Sequence, residues 1–162
     1  MDRAGATLRP ARPEDAEFLF RVFVHSRASA LALLASDDPA QDSLLRMQFR
    51  AQDRAYRAQF PNARFDVIEC DATPIGRLIV DRCERAIHVV DVVLLPEHRS
   101  RGIGTSLLRA LLAEATANGQ PVTLRVDRDN PARSLYRRLG FATVSEDAIY
   151  AAMAWHQPKI AS

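Results

Sequence analysis

No stretch of the chain approaches the roughly 18 consecutive apolar residues that a membrane-spanning helix needs. The opening Met1-Asp2-Arg3-Ala4-Gly5 has no apolar run behind it, so no signal peptide and a cytoplasmic location are expected. Cysteine is scarce. Cys70 and Cys83 flank a predicted hairpin, and with no mark of secretion they read as small residues in or near a core rather than as a disulfide. His25, His88, His98 and His156 are too dispersed for a four-ligand zinc site, so no metal is expected. A strong charge of one sign is missing as well. The 22 basic residues face 20 acidic ones, giving a formal net charge of +2. The arginines are scattered, which argues against a nucleic-acid partner. Repeats, low-complexity tracts and linkers are not evident. What remains is a 162-residue chain, 48% hydrophobic and 26% charged, as expected for one domain over 1–162 with a core at about 8–155.

The periodicity of the apolar residues changes along the chain. Thr7–Arg9 reads as a short strand stopped by Pro10. Pro13-Glu14-Asp15 opens a helix to about Ser26, with proline and acids at its positive end and Phe18, Leu19, Val22 and Phe23 at helical spacing. A second helix covers roughly Pro39–Gln59 through Leu45, Phe49 and Tyr56. Phe65–Cys70 and Ile75–Asp81 form a hairpin about a turn at Asp71-Ala72-Thr73-Pro74. Ala86–Leu95 is apolar except at His88 and Asp91, which predicts a central strand covered on both faces. Ile103, Leu107, Leu108, Leu111, Leu112 and Ala115 share one helical face, closed by Asn118-Gly119. Val122–Val126, a short helix Asn130–Arg138, and strands Phe141–Val144 and Ile149–Trp155 complete the order. This is a mixed α/β, α+β-like domain: a mostly antiparallel central sheet with one parallel β-α-β crossover at Ala86–Val126.

The segment Pro96-Glu97-His98-Arg99-Ser100-Arg101-Gly102-Ile103-Gly104-Thr105 joins the central strand to a helix N-terminus. Unpaired amides and the macrodipole make that end a site for an anion such as pyrophosphate. Gly102 and Gly104 let the backbone approach it, and Arg99 and Arg101 add charge. The loop has no lysine for a Walker motif, and Leu107 stands where a dinucleotide fingerprint needs its third glycine.

Arg-x-x-Gly-x-Gly at 99–104, after Val-Val-Leu-Leu-Pro-Glu, resembles the coenzyme A signature of the GNAT superfamily of N-acetyltransferases. The run Asn130-Pro131-Ala132-Arg133-Ser134-Leu135-Tyr136-Arg137-Arg138-Leu139-Gly140-Phe141 is similar to that superfamily's second signature, and the wider resemblance extends from about Leu8 to Trp155. It implies a GNAT fold with helices on both faces of the sheet, acetyl-CoA as co-substrate, and direct transfer of the acetyl group to a primary amine of a small molecule or protein. Val92, Val93 and Leu94 fall where backbone bonds the pantetheine arm. The amides of Ser100, Arg101, Gly102, Ile103, Gly104 and Thr105 fall on the pyrophosphate. Asn130 matches a position that contacts the coenzyme or the substrate side, and Tyr136 the tyrosine that protonates the departing thiolate.

The chemistry fits these roles. A phenol with pKa near ~10 stays protonated at neutral pH, while an amine with pKa near ~10.4 must lose a proton before it attacks. The carbonyl oxygen gains charge during transfer, and the N–H of Val93 or Leu94 is placed to stabilise it. Where some relatives carry a glutamate as base, Leu124-Arg125-Val126-Asp127 offers Arg125 instead. Asp91, alternating with Val89, Val93 and Leu95, is the first candidate base; a salt bridge or hydrogen bond to Arg77 or His88 is its alternative role. Glu69 is the second candidate, and a water-mediated path the third. Tyr136 also reads as a helix residue with its ring in the core. The resemblance places the acceptor pocket at roughly Phe20–Phe60 and Ile149–Trp155, with Phe23, His25, Arg27, Tyr56, Phe60, Tyr150 and Trp155 as possible lining. A monomer, or a homodimer paired through Tyr150–Trp155, is expected, with no nucleic-acid or membrane partner. An inactive acyl-CoA-binding module is the rival reading.

Overall fold

The computed structural model describes residues 5–27 and 38–159, so positions 28–37 of the predicted acceptor region lie outside the described residues. The elements are β1 (Ala6–Pro10), α1 (Ala16–His25), α2 (Pro39–Gln59), β2 (Arg64–Cys70), β3 (Thr73–Arg82), β4 (Ile87–Leu94), α3 (Ile103–Asn118), β5 (Val122–Asp127), α4 (Ala132–Arg138), β6 (Ala142–Glu146) and β7 (Tyr150–Trp155). This is the predicted order. Seven strands form one sheet in the order β1-β2-β3-β4-β5-β7-β6. Only β4 and β5 run parallel, joined by the crossover through α3.

Side-chain chemistry sets the element ends. Pro13–Asp15 forms a 3-10 turn rather than the first turn of α1. The Asp15 carboxylate accepts the Arg12 amide at 2.7 Å and both Arg9 guanidinium nitrogens at 2.8 Å, tying that turn to β1. Asp38 caps α2 by accepting the Ala40 amide at 2.9 Å, and Pro39 follows at the first helical position. The β2–β3 turn is shorter than the sequence suggests. Thr73 pairs with Cys70, so Thr73 and Pro74 belong to the strand. Asp71 and Ala72 make the turn with φ of 51° and 64°, the double left-handed geometry that suits the twist of a tight hairpin.

The two sheet faces bury different partners. Leu78, Val80, Ile87, Val89, Leu124 and Met153 pack under Ile103, Leu108, Leu111 and Ala115 of α3 and Tyr136 of α4. On the other face Phe20, Phe23 and Val24 of α1 meet Leu45 of α2. Phe20 and Val24 were not among the residues picked out by spacing; Phe18 and Leu19 are only half-buried. Each fully buried side chain of this size contributes about 1.5–3 kcal/mol. Cys70 is half-buried, but Cys83 is exposed beyond the end of β3, so only one cysteine matches the expected placement near the core. Among the described residues no helix is long and apolar enough to cross a membrane.

Candidate active site

The central strand changes partners halfway along. β4 pairs with β5 only at Ile87–Val122, His88–Thr123 and Val89–Leu124. Beyond that rung β4 follows β3 as far as Leu94, and β5 follows β7 as far as Asp127. The sheet is therefore open between the C-terminal halves of β4 and β5. The register shows why. Val80 faces Val89 and Ile79 faces Asp91, so Val90 is an extra residue in β4, a β-bulge where pairing with β5 stops. A bulge bends its strand and increases the local twist, which carries the rest of β4 away from β5. Val92, Val93 and Leu94 are apolar residues in the middle of the sheet, yet only half-buried. Their backbone on the β5 side has no strand to bond, which is what an extended, amide-bearing arm requires.

The bulge also corrects the predicted face of Asp91. Asp91 shares a face with Val93 and opposes Ile79, whereas Val89 opposes Val80 on the α3–α4 face. A strand of uniform period puts positions 89 and 91 together; the inserted Val90 separates them. Asp91 thus looks toward α1 and α2. There it forms an ion pair with Arg77 of β3, whose guanidinium also donates to Gln52 Oε1 of α2 at 3.3 Å. Arg77 is 4% exposed, and its Nε has no hydrogen-bond partner. The Asp91 side chain keeps 21% of its surface open. Of the two partners weighed for Asp91, the ion pair goes to Arg77. His88 instead contacts Thr123 Oγ1 at 2.8 Å and stacks on Phe60 with centroids 5.4 Å apart. Burial pushes the His88 pKa down, the nearby Asp81 charge opposing it.

Tyr136 projects from α4 into the core on the opposite side. It is 7% exposed, with its ring against Phe141 at 5.8 Å. Its ring is thus in the core, as the plain reading of the helix expected. Burial, and then the negative charge of Asp91, push its phenol up to about 12. Tyr56 of α2 stands on the α1–α2 side of Asp91. Burial and Asp91 raise its pKa to about 12, with Arg77 and Arg27 opposing. Both phenols therefore remain proton donors throughout the neutral range.

The loop into α3 is shaped as an anion cradle. Ser100 and Gly102 both have positive φ, 61° and 81°, and Gly102 caps the helix with no side chain of its own. Nothing lies within 4 Å of where a Gly102 Cβ would stand, so glycine is needed there for its φ alone. The first turn of α3 holds no acid, and the amides of Ile103, Gly104 and Thr105 find no acceptor among the described residues. These free amides on a 16-residue helix fit a pyrophosphate. Arg101 is exposed beside them. Arg99 turns back instead, donating to Leu94 O at 2.9 Å and His25 O at 3.1 Å, and so fastens the loop to β4 and α1. Asn130 Oδ1 accepts the Ala132 amide at 2.9 Å and starts α4. Glu69 lies on β2, two strands from β4, in an ion pair with Arg9 at 3.2 Å.

The remaining lining candidates separate cleanly. Phe23 is fully buried under the sheet and Trp155 is 7% exposed within the α3–α4 core, so neither faces a cleft. Tyr56 lies in the field of Asp91, and Arg27 and Tyr150 act on the same phenol. His25 contributes its carbonyl to Arg99, while its buried Nδ1 lacks a partner. Gln52 and the Val90 bulge were not anticipated. Gln52 carried no signal in a mostly polar helix, and a bulge leaves no mark in a run as uniform as Val89-Val90.

A sheet split beside a bare helix end, with Asp91 and Tyr136 on opposite faces of the sheet, is an arrangement suited to an acyl-coenzyme-binding α/β domain. The chain matches the Acetyltransferase (GNAT) family over residues 29–141 and belongs to that family. It is 40% identical over 62 residues to the mycothiol acetyltransferase of Clavibacter sepedonicus, a match covering 38% of this chain and 19% of that protein. It is 42% identical over 60 residues to the N-alpha-acetyltransferase of Sulfurisphaera tokodaii, covering 35% of this chain and 36% of that one. These matched stretches are far short of the relatives' full lengths. Among solved structures, the PaiA N-acetyltransferase from Thermoplasma acidophilum, crystallised in complex with coenzyme A, superposes with a TM-score of 0.67 at 22% identity, over 94% of this chain and 99% of that one. That likeness shows the same fold.

Proposed function

We propose that the protein is an N-acetyltransferase that moves an acetyl group from acetyl-CoA directly to a primary amine. The observation that carries the reading is the opening between β4 and β5, with Asp91 and Tyr136 on its two sides. Acetyl-CoA supplies the activated acyl group as a thioester. The free amides at Ile103–Thr105 hold the pyrophosphate, with Arg101 adding charge. The unpaired edge of Val92–Leu94 aligns the arm, and an N–H there faces the thioester carbonyl, where charge develops. Tyr136 stays protonated and donates to the leaving sulfur. The open face of Asp91 receives the acceptor amine and takes its proton directly or through water, while Arg77 keeps the carboxylate in place. Arg99 and Asn130 act on the coenzyme indirectly, by shaping the loop and α4. Glu69 is paired elsewhere and is the weaker base candidate. We place the reaction in the cytoplasm of a bacterial cell, in a single-domain protein that works as a monomer or homodimer.

The test is thiol release from acetyl-CoA in the presence of a broad amine panel. Tyr136→Phe lowers kcat about 10- to 1,000-fold while leaving acetyl-CoA binding nearly unchanged. A folded protein that is stabilised by acetyl-CoA, yet releases no thiol with any amine before or after that substitution, refutes the enzyme and supports a binding module.

A further inference from the structure

Helix α2 touches the sheet at two points that fix its course over β4. Gln52 Oε1 accepts the Arg77 guanidinium at 3.3 Å, and Arg77 stands opposite Val93. Phe60, just past the helix, stacks on His88 with ring centroids 5.4 Å apart, and its amide still donates to the Tyr56 carbonyl at 2.8 Å. The helix therefore crosses β4 from its Val93 end to its His88 end. Four residues of helix advance about 6 Å and return to nearly the same side, so Gln52, Tyr56 and Phe60 share the face turned to the sheet. Tyr56 stands midway between two anchored neighbours. Beneath that midpoint β4 carries the Val90 bulge and Asp91, where its rungs with β5 have ended at Val89.

Tyr56 differs from its neighbours in one respect. Gln52 and Phe60 both have partners, whereas the Tyr56 hydroxyl makes no hydrogen bond with a described residue and is not sealed from solvent. A half-buried phenol ordinarily finds a partner for its O–H. Asp91 shows the same incompleteness. Arg77 binds its Oδ2, while Oδ1 has no bond to a described residue and 21% of the side chain is open. Two oxygens with spare lone pairs therefore lie on one side of the opening, one from β4 and one from α2. A phenol oxygen accepts a hydrogen bond while keeping its own proton. Burial, and then the Asp91 charge, hold that proton with a pKa of about 12, so Tyr56 can grip an N–H without acting as a base. A neutral primary amine has two N–H groups and one lone pair. With one N–H on each oxygen, its lone pair is left for the thioester carbon.

We infer that the Tyr56 hydroxyl is a contact for the acceptor substrate: it takes one N–H of the incoming amine while Asp91 Oδ1 takes the other, which makes the site selective for primary over N-methylated amines. This inference rests on the acetyl-transfer reading of the same site. It gives α2 a part in choosing the acceptor as well as in covering the sheet. The proton lost on attack goes to Asp91, and the N–H held by Tyr56 is the one that remains in the amide product.

The experiment measures initial rates of thiol release from acetyl-CoA with two matched pairs, butylamine against N-methylbutylamine and glycinamide against sarcosinamide, for the parent chain and for Tyr56→Phe. Phenylalanine keeps the ring and removes only an oxygen that bonds no described residue, so Tm is expected within about 2 °C of the parent. In the parent chain each primary amine is expected to lead its N-methyl partner by about tenfold or more in kcat/KM. Tyr56→Phe raises KM for the primary amine by about 5- to 20-fold, leaves the KM of acetyl-CoA in place, and shrinks the lead over the N-methyl partner by a similar factor. Unchanged kinetics in Tyr56→Phe, an equal loss with primary and N-methyl amines, or a fall in Tm beyond about 4 °C with weaker acetyl-CoA binding overturns the inference and leaves acetyl transfer standing. No thiol release from the parent chain with these or any other amine of the panel overturns both.

Discussion

Asp91→Asn removes one charge and nearly preserves the side chain's shape. In the folded protein Arg77 then stays buried beneath α2, with Gln52 and a neutral amide as partners and its Nε already unpartnered. Removing one member of a fully buried pair costs about 3–5 kcal/mol. Because the Asp91 side chain is 21% exposed and water reaches it, the expected loss is nearer 2–3 kcal/mol. In a chain of this size each kcal/mol moves Tm by about 2–4 °C, so the melt falls by about 4–12 °C. Arg77→Met removes the buried charge instead, and the double variant lacks both. A double-mutant cycle followed by urea denaturation should therefore give a coupling of about 2 kcal/mol, with the double variant more stable than Asp91→Asn alone. The same substitution lowers the pKa of Tyr56 and Tyr136, since the Asp91 charge helps to raise both, although burial is the larger cause. Alkaline titration by ultraviolet absorbance can follow this, because the chain has only three tyrosines. Additive single variants with a coupling below about 0.5 kcal/mol, and unchanged tyrosine titrations, would refute the account of Asp91 as the shared partner of Arg77 and the two phenols.

Three further outcomes are expected. Ala72→Gly relieves a left-handed alanine in the β2–β3 turn and raises stability by about 0.5–1 kcal/mol, read as a Tm gain of about 1–4 °C. Gly76→Ala would set a Cβ 2.2 Å from the Val93 carbonyl oxygen, so β3 and β4 must part; the expected cost is about 1–3 kcal/mol, with weaker acetyl-CoA binding by calorimetry because β4 moves at the open edge. The Arg9 pair, followed by the Arg12 amide, holds the Asp15 carboxyl at about 2, against the burial that opposes it. A lowered carboxylate pKa stabilises the fold above the unfolded value near 3.8 and loses that support as pH falls from about 4 to 2, worth about 2 kcal/mol; Asp15→Asn should flatten this part of the acid-unfolding curve.

Order and type of the elements were legible because periodicity, proline and capping residues act locally. The α3 stripe, Asp38-Pro39 ahead of α2 and the Asn118-Gly119 stop are signals of that kind. The loop at 99–105 was legible for the same reason: left-handed residues and a helix start are encoded within a few positions. The face of Asp91 was not, because it depends on how β4 counts against β3. An inserted residue in a valine run shifts every later side chain without altering composition or hydropathy. Arg99 illustrates a related limit. Its charge marked it as a phosphate ligand by sequence, yet its direction is set by two backbone carbonyls, one of them 74 residues away in the chain. Cys83 fell outside the core because β3 ends at Arg82, just before it reaches the turn into β4.

Val90 makes two properties inseparable that a designer would normally adjust one at a time. The same inserted residue fixes the width of the opening and the direction in which the acid points. Deleting it would let β4 resume its rungs with β5, closing the seam, and in the same step would deliver Asp91 to the apolar side beneath α3. Aperture and polarity are thus written by one register error kept in place, and neither is available to change while the other stays.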